Sequence, residues 1–162
     1  MRGVPLILTL AVLAAPALAD PLDGKSYIVE MSSSQMASGY GLYLLPPLLS
    51  VLERSRMKAQ NGPGADVVVN IVTGGDVGRW VNTAEGKVWL YTVSATVGIS
   101  PEAYDIPFEG TPAYGITASL LTPNPDRQDE MDCLIRLAAR TALKNYRPSG
   151  VFPVDGSSCQ RK

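Results

Sequence analysis

The chain contains no histidine, and that absence removes both the commonest general base near neutral pH and the commonest metal ligand. Charge is scarce as well: Asp, Glu, Lys and Arg make up 18% of the 162 residues, 14 of them basic and 15 acidic. A net charge of -1 gives no field with which to attract a polyanion, so nucleic-acid binding has no compositional support. Cysteine is limited to Cys133 and Cys159, too few without histidine to assemble a zinc site. Beyond the first twenty residues no apolar run is long enough to cross a bilayer. What is present in quantity is apolar side chain, at 46%, which places the chain among folded globular proteins of a single domain.

Residues 1–19 have the three parts of a secretory signal: Arg2 as a positive start, an apolar stretch from Leu6 to Ala15, and Ala17-Leu18-Ala19 as a small-residue cleavage site. Cleavage would make Asp20 the first residue of a domain covering residues 20–162, in the periplasm or the medium. The apolar stretch falls short of the roughly 18–20 residues that a membrane span needs, so no span is expected once the leader is removed. No cysteine stands at the cleavage site to carry a lipid. An oxidising compartment and an even count make a Cys133–Cys159 disulfide the expected state of the two thiols. A redox pair would more usually be spaced as Cys-x-x-Cys.

Period-two alternation from Lys25 to Met31, with Tyr27, Val29 and Met31 on one side, predicts a strand. From Leu44 a helical spacing follows (Leu44, Leu45, Leu48, Val51, Leu52, Ser55, Ala59), with Pro46-Pro47 placed in its first turn and Gly62-Pro63-Gly64 as its end. Val67–Val72 reads as a central strand, Val77–Asn82 as a short one, and Lys87–Ile99 as the longest, its Trp89, Tyr91, Val93, Ala95 and Val97 forming a core face. Tyr114–Leu121 gives the last strand. The final helix is capped by Asn124 and Pro125, with Asp126, Asp129 and Glu130 at its start, and buries Met131, Leu134, Ile135, Ala138, Ala142 and Tyr146. The expected fold is α+β: a two-layer sandwich of a mixed sheet of four to five strands, in the order β-α-β-β-β-α, with two helices on one face.

That order of elements resembles small α+β domains of the bacterial envelope, such as the outer-membrane lipopolysaccharide-assembly lipoprotein and the DUF4136-type lipoproteins. The resemblance covers most of residues 20–162 and implies an envelope role. It lies in architecture, so no functional residue is carried over from those families.

Few residues suggest chemistry. Gly74-Gly75-Asp76-Val77-Gly78 follows a strand but lacks the lysine and hydroxyl residue of a phosphate loop, and reads as a turn that needs glycine backbone angles. Asp126, Asp129, Glu130 and Asp132 are explained by the helix dipole better than by a bound cation. Ser32–Ser34 have no histidine to activate them, and a Ser-Lys pair would require Lys25 or Lys58 to be buried. No cofactor and no metal are expected.

Two features could serve as a binding surface, although packing on the core is the commoner role of rings in such a loop and solvation the commoner role of a basic helix face. Tyr104, Phe108 and Tyr114 lie in a proline-rich loop from Ser100 to Tyr114. Arg136, Arg140 and Lys144, with Arg147, form a basic stripe on the last helix, partly paired through Asp132. Cys133 falls in that stripe, so the tail 147–162 is expected to return along the solvent side of the helix, with Val151, Phe152 and Val154 covering Leu137. The leading expectation is a non-catalytic exported module that binds a protein or other envelope component. The alternative is a histidine-independent enzyme using carboxylates or a Ser-Lys arrangement.

Overall fold

A computed structural model describes residues 20–31, 35, 39–101, 111–123 and 128–160. Its elements are β1 (Ser26–Glu30), α1 (Gly41–Leu52), β2 (Lys58–Ala59), β3 (Val67–Gly75), β4 (Arg79–Thr83), β5 (Gly86–Pro101), β6 (Tyr114–Thr122), α2 (Gln128–Lys144), β7 (Gly150–Asp155) and a 3-10 turn at Ser157–Cys159. The strands form one mixed seven-stranded sheet in the order β2-β1-β3-β5-β6-β7, with β4 paired to β5. β1 lies parallel to β2 and β3, β5 is antiparallel to β3 and β6, and β6 is parallel to β7.

The core follows from the alternation. Val67, Val69 and Ile71 of β3, Val93, Ala95, Val97 and Ile99 of β5, and Tyr114, Ile116, Ala118 and Leu120 of β6 are all buried on one face. Register brings Val69, Ile99 and Tyr114 into one row and Ile71, Val97 and Ile116 into the next. The buried residues of both helices join the same apolar cluster, so two helices do cover one sheet face. Ala95 faces Ala118 in the sheet, while α2 contributes the buried Ala138, Ala139 and Ala142. Small residues on both sides let the helix lie close to the strands. The other face is mainly small or polar, with Thr96 and Thr117 joined hydroxyl to hydroxyl at 2.8 Å.

The expected count of four to five strands is too low, and the two missed ones are instructive. β2 has only two residues, too short for a period to register. β7 contains Pro153 and therefore does not read as a strand, yet it pairs with β6 from Tyr114↔Gly150 to Ser119↔Asp155. Without it β6 would expose a row of unpaired backbone groups, and proline is tolerated on such an outer strand. The tail thus does not run along the solvent side of α2. Phe152 and Val154 stand opposite Ile116 and Ala118 in the sheet, and Cys133 is half-buried against the core.

α1 also departs from expectation. It begins at Gly41, so Pro46 and Pro47 sit inside it. The first turn is closed by Leu42 N–H donating to Gly39 and Tyr43 N–H to Tyr40. The carbonyls that lose donors to the prolines belong to Leu42 and Tyr43, both exposed residues, a place in a helix where the missing donors cost least. The helix stops at Leu52, whose carbonyl accepts from the Ser55 hydroxyl at 2.6 Å, and Ala59 lies in β2 rather than on a helix face. The Asn124–Pro125 cap lies outside the described residues.

Candidate functional site

β5 is sixteen residues long, about 50 Å at about 3.3 Å per residue, whereas the seventeen residues of α2 extend only about 25 Å. The helices therefore cover the second half of the strand and leave the first half uncovered. β3 ends at Gly75, opposite Val93, and β6 ends at Thr122, opposite Tyr91. Beyond them residues 86–90 pair with β4 alone, in a two-stranded arm with Trp80 opposite Trp89 and Val81 opposite Val88. Trp89 and Tyr91, expected in the core, lie at the uncovered end: Trp89 is 37% exposed and Tyr91 half-buried.

A two-stranded ribbon is marginal unless its cross-strand pairs hold it. Here Trp80 and Trp89 meet edge to face with centroids 5.3 Å apart, and Trp89 meets Tyr91 in the same way at 6.4 Å. The chain reaches the arm through Asp76, whose Oδ1 accepts from the amides of Gly78 at 2.9 Å and Thr92 at 2.8 Å. Hydrogen bonding from the Thr92 side chain first, then from the Thr92 and Gly78 amides, holds the Asp76 carboxyl below its usual pKa. Gly78 has φ of 83°, and a Cβ there would stand 2.8 Å from Cε2 of Trp89. Only glycine lets the indole lie against the chain. The glycine-rich segment is thus the locked base of an arm, and its carboxylate occupies the amides that an anion would need.

The arm presents apolar surface to solvent. Trp80 is 64% exposed and Val77 90%. At its base Tyr40 lines a cleft of about 240 Å³ with Thr73, Gly74, Gly75, Val93 and Met131, and its neighbours Leu42 and Tyr43 are exposed. Large apolar side chains gathered at one end of a sheet mark an interaction surface more often than chance exposure does.

The residues singled out from sequence fare differently. Cys133 and Cys159 are bonded, with Cα atoms 5.5 Å apart. Tyr104 and Phe108 lie outside the described residues. Tyr114 is 1% exposed, its hydroxyl donating to the Asn145 carbonyl at 2.9 Å and its ring against Tyr146 and Phe152. It is a core staple and offers no surface to a partner. Arg136 stands 3.7 Å from Asp132, as the i, i+4 spacing requires. Arg140 and Lys144 are exposed and line a groove together with Arg54 and Arg56. Arg147, placed in the stripe, instead holds its guanidinium over the Phe152 ring at 5.0 Å.

Neither Lys25 nor Lys58 is buried beside a serine as a Ser-Lys pair would require. Lys25 is half exposed and ion-paired to Asp66 at 3.2 Å, and Lys58 is exposed on β2. Ser32–Ser34 lie outside the described residues. Asp66 and Asp155 have lowered pKa values, through hydrogen bonds from Ser26 and Ser157 respectively. Both are surface anchors of the backbone. Among the described residues no three His, Cys, Asp or Glu side chains come together as metal ligands, and no helix is long and apolar enough to cross a membrane.

The sequence predicts a short strand at Val77–Asn82 but not the arm that it forms with β5. The missing step was length, because a strand longer than the helices available to cover it must leave its surplus apolar face bare.

No protein-family model and no curated protein matches the sequence. Among solved structures, a PDZ domain protein from Parabacteroides distasonis is similar to 78% of this chain, with a TM-score of 0.50 and 9% identity. The matched part is 33% of that protein's length. At that identity the likeness concerns the fold alone.

Proposed function

We propose that this chain is an exported binding module that holds a protein or other envelope component through the Trp80–Trp89 arm. The observation that carries the reading is the cross-strand tryptophan pair standing at 64% and 37% exposure beyond the helical layer. Tryptophan is the residue type most enriched at the energetic centres of interfaces, and a rigid ribbon loses little entropy when it docks. The disulfide and the signal-like leader support export. The architectural resemblance to envelope lipoproteins supports the compartment.

The test is a cross-linking pull-down of the tagged protein from its own envelope, comparing wild type with Trp80→Ser/Trp89→Ser. Capture of the partner is expected to fall by about tenfold or more, as loss of an interface centre does. Trp80→Tyr, which keeps an aromatic ring, should retain most of it. Undiminished capture by the double variant would overturn the reading. Thermal midpoints of the variants should stay near wild type, because neither ring belongs to the buried cluster, and retention of capture by Trp80→Tyr separates loss of the contact from loss of the arm's structure.

A further inference from the structure

At the opposite end of the sheet the N-terminal segment, the turn between α1 and β2, and the last turns of α2 enclose a groove of about 630 Å³. Sites for small molecules run to about 300–1,000 Å³. The inner lining is apolar: Leu22, Val51 and Met57 are each less than a tenth exposed, and Leu143 is half-buried against the core. The rim is basic, with Arg54, Arg56, Arg140 and Lys144 against Asp20 and Asp23. Asp23 is engaged by Arg56 at 2.9 Å, and Asp20 Oδ1 accepts from the Leu22 amide at 3.0 Å. Arg54, Arg140 and Lys144 are drawn from two separate elements onto one opening.

The helix dipoles account for part of this charge. Both helices end here, and each C-terminus carries about -0.5 of a charge. Four cations against two carboxylates and two such ends leave an excess of about one positive charge, in a chain whose net charge is -1. Cleavage after Ala19 would add the α-amino group of Asp20 to the same rim. A cationic rim over an apolar floor is complementary to a molecule with both characters.

We infer that this groove binds a single acidic amphiphile, its anionic head held by Arg54, Arg140 and Lys144 and its alkyl chain lying on Leu22, Val51, Met57 and Leu143. The occupant is a monomeric molecule, not a membrane surface, because the apolar residues line a concavity and are buried, whereas membrane insertion requires them to project. The site is separate from the tryptophan arm and independent of its role.

Isothermal titration calorimetry of the exported protein with dodecyl phosphate, kept monomeric, tests the inference. Saturable one-to-one binding is expected, weakened about tenfold or more by Arg140→Gln/Lys144→Gln and by Arg54→Gln, and unchanged by Trp80→Ser/Trp89→Ser. Inorganic phosphate, which lacks the chain, and dodecyl maltoside, which lacks the charge, should each bind about a hundredfold more weakly. All five substituted residues are exposed, so thermal midpoints should stay near wild type and report that the variants fold. Absence of saturable binding, equal binding by both basic-residue variants, or equal binding of the maltoside would overturn it. So would sedimentation with phosphatidylglycerol vesicles in the absence of any binding to monomeric dodecyl phosphate.

Discussion

Leu134→Ala is expected to lower the unfolding free energy by about 3 kcal/mol, within the range for a fully enclosed leucine. Leu134 is 0% exposed. It packs from α2 against the chain at Gly156, where any Cβ would collide with its Cδ2 and stand 2.7 Å from the Ser119 carbonyl. Truncation leaves a cavity between helix, sheet and tail that the backbone can close only by breaking the Gly156 N–H bond to Ser119, 2.7 Å long. Urea unfolding monitored by far-UV dichroism should show a lower midpoint at unchanged slope. The thermal midpoint should drop by about 10 °C for a domain of this size. A loss below about 1 kcal/mol would mean that the side chain is not enclosed in solution.

Removing the disulfide, by Cys133→Ser with Cys159→Ser, should cost about 3 kcal/mol, because the bond closes a step of 26 residues and its loss frees the unfolded chain. The native consequences should be local. Cys159 is 5% exposed and ends a turn capped by Asp155, which accepts from Ser157 N at 2.9 Å and from its hydroxyl at 2.7 Å. β7 keeps its own ladder to β6. Hydrogen exchange should therefore show faster exchange at Cys159 and Gln160 and little change in β7. Uniform loss of protection through β7 would show instead that the bond, not the ladder, holds the strand. Because Leu134 and the disulfide secure the same turn, the combined loss should fall short of the sum.

How far the fold could be read beforehand depended on whether the information was local. α2 was legible because its apolar stripe, acidic start and basic end agree with one another. β3 and β6 were legible as apolar runs with a consistent face, and the disulfide followed from the signal-like leader and an even count. β7 was not, because Pro153 argues against a strand unless one knows that β6 needs a partner on its far side. Tyr114 was legible in part: packing against the core is the commoner role of a ring in such a loop, and its position opposite Ile99 in the ladder buries it. Trp89 was placed on the correct side of its strand and still misjudged, since a period gives the face but not the extent of what covers it. The groove was only half legible: Arg140 and Lys144 share a helix face, but nothing local brings Arg54 to them.

Both tryptophans of the chain, Trp80 and Trp89, stand on the arm, so indole fluorescence reports that surface and nothing else. The most direct measurement is acrylamide quenching of this emission, in the purified protein and again after addition of the partner recovered from the envelope. The account predicts red-shifted, readily quenched emission from the free protein, shifting to the blue and becoming shielded when the partner is bound. Emission that is already shielded in the free protein, or that stays equally quenchable in the complex, would contradict it.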